Sequence, residues 1–185
     1  MSIPSYITAC IPKLYTILGV RLKPFSIGHY ILMKRFNCAF VSDEPTSVNV
    51  GDLLLAISIC SRTYEEFINW IYNNDWQKDM EDWGKAVEEQ LKEVPNCNFI
   101  TKMRLFGAYM KDGSQLPKYW EKEEGSSAGG HWTHTMMAIA TSELGYSQTE
   151  VLNGPLSKLF YDYFKYVERN GLITLFTEEE EELVS

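Results

Sequence analysis

Arg21-Leu22-Lys23-Pro24-Phe25-Ser26-Ile27-Gly28-His29-Tyr30-Ile31-Leu32-Met33 is the stretch on which the reading of this chain turns. Two cations flank a leucine and lead into Pro24, which disfavours helix in the residue before it. Ser26 stands where a helix N-cap belongs, and an apolar run opens behind it. The stretch predicts a helix from about Ile27 to Phe36. Other segments repeat the same grammar of cap, apolar run and breaker, and strand-like alternation of useful length is absent. The fold class expected is all-α: a compact multi-helix bundle.

Further along, Asn37 to Asn49 reads as a loop with Asp43-Glu44-Pro45 as its turn signal. Asp52 reads as the cap of Leu53-Leu54-Leu55-Ala56-Ile57, a run apolar nearly all round and so a central, buried helix. Thr63 and Glu66 stand in capping-box register. Behind them Tyr64, Phe67, Ile68, Ile71 and Tyr72 fall on one helical face. After a break at Asn73-Asn74-Asp75, a charged amphipathic helix carries Trp76, Met80, Trp83, Val87 and Leu91 at spacings of three or four, and Pro95 ends it. Asn98 to Met110 reads as another helix, with turns at Asp112-Gly113 and Pro117.

Glu121 to Gly130 (EKEEGSSAGG) is the clearest loop or linker. A helix from His131 to Leu144, with Trp132, Met136, Ile139 and Ala140 on one face, stops at Gly145. Ser147 and Glu150 mark a second capping box. Pro155 opens a last long helix with Leu156, Leu159, Phe160, Tyr163, Phe164 and Val167 at a 3.6 period, which Asn170-Gly171 ends. The expected organisation is one helical domain over 1–177, with a possible subdivision at 121–130, and an acidic tail over 178–185 that contains Glu178 to Glu182.

The chain has 185 residues, 45% of them hydrophobic and 14% aromatic, enough for a core. The net charge of −8 argues against nucleic acid as the main partner. Charge is uneven: net +3 over residues 1–50, −5 over 51–128 and −6 over 129–185. Cys10, Cys38, Cys60 and Cys97 form no CxxC pair, and the expectation is four reduced, mostly buried thiols in a cytoplasmic protein. The apolar opening from Ile3 to Val20 is interrupted by Pro4, Pro12 and Lys13. It reads as a segment that docks on the body or on a partner, rather than as a signal peptide or a membrane span.

Little in the residues themselves points to catalysis. His131 and His134 share a helix face at i, i+3 and would suit one metal only with a third ligand such as Cys97 or Glu124; the plainer reading is a pair of helix-start histidines. Ser26 and His29 have the same spacing, but the serine already serves as a cap, and a nucleophile–base pair needs an orienting group and an oxyanion hole. The glycines at 125, 129 and 130 lack the lysine and serine of a phosphate loop. On the last helix Tyr161 falls off the core face, so the Tyr161-to-Tyr166 cluster is a candidate protein contact. The glutamate run reads as a solvated tail.

The opening motif also resembles small tail-assembly proteins of long-tailed bacteriophages. In these, an L-R/K-P-L/F-T/S-x-G-H stretch leads into a Leu-rich helix, matched here by Leu22 to His29 and then Ile31-Leu32-Met33. Cys38-Ala39-Phe40-Val41 and Asp52 to Ala56 follow the same layout. Leu144-Gly145-Tyr146-Ser147, Glu150-Val151-Leu152, Pro155-Leu156 and Glu168 to Gly171 resemble the later part. The likeness covers roughly residues 20–60 and 130–171. It implies a helical tail-assembly chaperone of a phage or prophage that binds the tape-measure protein, with no catalytic residue, no cofactor and no metal. Partner contacts are expected at Leu22, Pro24, Phe25 and His29 and at Tyr161 and Tyr166. Two other readings stand beside it: a structural virion component such as a neck or tail-completion protein, and a metal-dependent enzyme using His131 and His134.

Overall fold

A computed structural model describes residues 5–43, 47–73, 75–93, 99–121, 131–177, 179–180 and 183. The fold is essentially all-α, as the helical periodicity predicts, with two small two-stranded antiparallel sheets among the described residues. Among the described residues the helices are α1 (Ser5–Cys10), α2 (Ile27–Arg35), α3 (Val50–Cys60), α4 (Tyr64–Asn73), α5 (Trp76–Glu93), α6 (Phe99–Gly113), α7 (Trp132–Ser142), α8 (Gln148–Asn153) and α9 (Leu156–Arg169). A 3-10 turn spans Ala39–Val41.

The helix α3 is the centre of the molecule. Leu53, Leu54, Ala56, Ile57, Ile59 and Cys60 are all buried, so its nearly uniform apolarity is used on every side. It packs against α2, α4, α5 and α6. Its start differs from the expectation. Asn49, not Asp52, is the N-cap: Asn49 Oδ1 accepts from the Asp52 N–H at 2.9 Å, and Asp52 Oδ2 accepts from the Asn49 N–H at 3.0 Å. Asp52 is therefore the third residue of a capping box, and the helix begins two residues before it. Asn49→Ala is expected to cost about 1 kcal/mol, read as a lowered midpoint in denaturant.

The boxes at Thr63–Glu66 and Ser147–Glu150 form as the sequence predicts. In α4 the expected face holds for Phe67, which is buried, but Tyr72 is 78% exposed. Tyr64, Ile68 and Ile71 of the same face pack against the core. In α5, Val87 is buried and Trp83 packs at the edge of the core. Pro95 and Cys97, the Asp43-Glu44-Pro45 turn beyond Asp43, and the 122–130 part of the linker lie outside the described residues, as does most of the glutamate tail.

The sheets are short connectors. In the first, β1 (Thr16–Ile17) pairs with β2 (Val20–Arg21) around Leu18 and Gly19, both at positive φ (51° and 76°). That is the two-residue turn that matches strand twist, and glycine takes its second position without strain. In the second, β3 (Tyr119–Glu121) pairs with β4 (Ile173–Leu175). The N-terminal segment docks on the body. The Ser157 hydroxyl donates to the Ala9 carbonyl at 3.1 Å, Tyr6 meets Tyr161 edge-on at 5.9 Å, and Lys13 and Tyr15 both donate to Asp112 Oδ2. Tyr146, Lys158 and Asp162 form a hydrogen-bonded triad that ties the approach to α8 onto α9.

Candidate functional site

The signature residues come together, but inward. Leu22, Phe25 and His29 are all buried in the chain's own core, at 3%, 3% and 2% exposure, and Phe25 also borders an apolar cleft. Ser26 Oγ accepts from the His29 N–H at 3.2 Å, and His29 Nδ1 accepts from the Ser26 N–H at 3.2 Å. A histidine thus takes the place that glutamate or glutamine usually holds in a capping box. Its other nitrogen, Nε2, lies 2.8 Å from the Arg62 carbonyl, so Nε2 carries the hydrogen and donates. The ring is neutral. Burial, reinforced by the nearby Lys23 cation, pulls its pKa down to about 4 against the opposing pull of the Arg62 carbonyl. Because Nδ1 meets the serine's backbone N–H rather than its hydroxyl, this is a structural node and not a nucleophile–base pair.

Gly28 completes the node. A Cβ there would stand 2.5 Å from the Leu152 carbonyl oxygen, so the bare backbone of α2 is what lets α8 lie against it. Ser26, Gly28 and His29 serve the α2–α8 and α2–α3 junctions, which explains their order in the motif without any partner. Pro24 is half-buried, as are Tyr161 and Tyr166.

The described thiols are free. Burial raises the Cys38 pKa to about 11 and pushes that of Cys60 higher still, so both are protonated core groups rather than nucleophiles. His131 is the N-cap of α7, its Nδ1 2.7 Å from Thr133 Oγ1. Among the described residues no group of three or more His, Cys, Asp or Glu is placed to hold a metal ion, and Cys97 and Glu124 lie outside them.

The feature best suited to binding is an apolar cleft of about 270 Å³ where α2, the 3-10 turn, the end of α6, the start of α7 and the start of α9 meet. Phe25, Val41, Leu156 and Phe160 form its buried part. Tyr30, Phe40 and Met110 contribute the half-buried walls. Its lip is Leu116, 54% exposed, and Trp132, 38% exposed. The Trp132 indole is held 5.0 Å from Tyr30 and 5.6 Å from Phe160, with His131 stacked behind it at 5.9 Å. Ser42 and Ser114 are the other polar residues beside Tyr30, and the Ser114 hydroxyl is spent on the Met110 carbonyl at 2.7 Å. Among the described residues no charged side chain lines the cleft. It is smaller than the roughly 300–1,000 Å³ typical of ligand cavities. Its scale is that of inserted side chains.

The sequence groups Trp132 with Met136, Ile139 and Ala140 on one face of α7. Met136 and Ala140 are buried, but Trp132 is 38% exposed at the lip of the cleft. No protein family matches the chain, and no curated protein or solved structure shows significant similarity to it. No helix among the described residues is long and apolar enough to cross a membrane.

Proposed function

We propose that this chain is a morphogenesis protein of a long-tailed bacteriophage or prophage, acting in the host cytoplasm as a tail-assembly chaperone for the tape-measure protein. The observation that supports this reading is the uncharged cleft with Leu116 and Trp132 exposed at its lip. A long helical client presents apolar residues at i, i+3 and i+4. A cleft of this size and chemistry takes such side chains singly, as helix-in-groove recognition does. The net charge of −8 keeps a complex of apolar faces soluble. The sequence likeness to tail-assembly proteins points the same way.

The test is affinity purification of the tagged chain from phage-producing cells, with mass spectrometry of purified particles alongside. Recovery of a long helical tape-measure protein, together with particles that lack this chain, supports the chaperone. Stoichiometric presence in particles overturns it in favour of a structural component such as a neck or tail-completion protein. Trp132→Ala is expected to weaken client binding about tenfold or more, as for an aromatic anchor at an interface centre. Unchanged circular dichroism would show that the loss is not unfolding.

A further inference from the structure

A second cavity, of about 210 Å³, lies between the C-terminal end of α3, α4 and α5 and shares no lining residue with the apolar cleft. Arg62 is its only cation among the described residues. The guanidinium sits 4.3 Å over the Trp70 ring. One terminal nitrogen donates to the Ser58 carbonyl at 2.8 Å and to Ser61 Oγ at 3.3 Å. Its Nε and second terminal nitrogen have no hydrogen-bond partner among the described residues, and no carboxylate there forms an ion pair with it. The surroundings penalise the charge: burial lowers the Arg62 pKa, and Glu66 and Asp79 only partly offset this from a distance. A partly desolvated guanidinium with an open N–H edge is the fork that matches a carboxylate. Trp70, Trp83, Met80 and Val20 supply apolar walls for the body that carries it.

We infer that this cavity is a binding site for a monocarboxylate on a small apolar body, with Arg62 holding the carboxylate and the tryptophans the body. Asp79 stands on the same wall, its Oδ2 accepting from Trp70 Nε1 at 3.2 Å. Its charge disfavours a doubly charged phosphate more than a singly charged carboxylate. The volume suits either a small arylalkyl acid or one acidic side chain of a helical peptide. The inference goes beyond the proposed function, and its failure leaves the apolar cleft untouched.

Indole N–H resonances of Trp70 and Trp83, assigned with Trp→Phe variants of the full chain, report on the site directly. Titration with 3-phenylpropionate is expected to move both saturably, with 3-phenylpropanamide binding at least about tenfold more weakly. Inorganic phosphate is expected to leave them in place. Arg62→Gln is expected to abolish the acid's advantage. Should that variant not fold, the comparison of acid with amide on the native chain decides alone. Equal binding of acid and amide, no saturable shift, or a stronger response to phosphate overturns the inference. A helical peptide carrying one glutamate, compared with its glutamine counterpart, separates the sources: peptide tighter than phenylpropionate assigns the site to a protein side chain, and the reverse to a free acid. Either supports the carboxylate site.

Discussion

Gly28→Ala is expected to destabilise the chain by about 3 kcal/mol, the upper part of the range for overpacking a tight contact. The sign is the informative part. Alanine is a better helix former than glycine by about 1 kcal/mol, so the same change at an open helical position stabilises. At Gly28 the added Cβ meets the Leu152 carbonyl oxygen at 2.5 Å and Tyr64 Cβ at 3.2 Å. A backbone oxygen cannot rotate away as a side-chain tip can, so α8 has to move off α2. Gly107 in α6 is the internal control, since a Cβ there meets nothing within 4 Å. Gly107→Ala is expected to raise stability by roughly 0.5–1 kcal/mol. Urea denaturation of the two variants beside the native chain checks both signs. A neutral Gly28→Ala would mean that α8 can shift off α2 at little cost.

The second large effect is on acid stability. The folded pKa of His29 is about 4, against about 6.5 for an unfolded histidine. Between these values the unfolded chain binds the proton and the folded chain does not. The stabilising difference is fully present above about pH 6.5 and is lost as pH falls through about 4. Its size is about 3 kcal/mol, and burial at 2% exposure leaves little solvent to screen it. The structural reason is specific. A proton on Nδ1 would face the Ser26 N–H, donor against donor, at the first turn of α2. His29→Gln can keep an acceptor for the capping box but removes the titration. The variant is expected to be less stable than the native chain at pH 8 and to show a flatter pH dependence between pH 6.5 and 5, a window above the ordinary carboxylate range. Denaturant midpoints at several pH values read both. An unchanged slope would place the titrating group elsewhere.

Both effects come from one motif, and they show how far the sequence could be read. Ser26 as a cap follows from its place before an apolar run, and it caps α2 as predicted. The register Ser26-x-x-His29 also carried a signal for a capping box, but histidine is an unusual member, and its second bond goes to Arg62, 33 residues away. The burial of Leu22, Phe25 and His29, where partner contacts were expected, was not legible for the same reason. Helical phase assigns a face to a residue, yet whether another element covers that face depends on chain that returns much later, here α6 at Tyr109 and α9 at Leu156. The Leu156 N–H donates to the Phe25 carbonyl at 2.8 Å, and Tyr109 sits edge-on to the Phe25 ring at 5.8 Å.

What the sequence determined by itself is local: the helical class, the caps at Ser26, Thr63 and Ser147, the burial of α3, and the stops at Gly145 and Gly171, whose positive φ of 74° and 80° glycine tolerates. Each depends on neighbours within a turn or two of the helix, where backbone hydrogen bonds and φ preferences act. The tertiary structure decided the rest. It turned the α2 signature inward, left Trp132 and Leu116 open at the cleft, and stood Arg62 over Trp70 with part of its fork unpaired among the described residues. These depend on which helices meet, and that is set by packing apolar surface between residues distant in the chain, a choice that no single segment's pattern encodes.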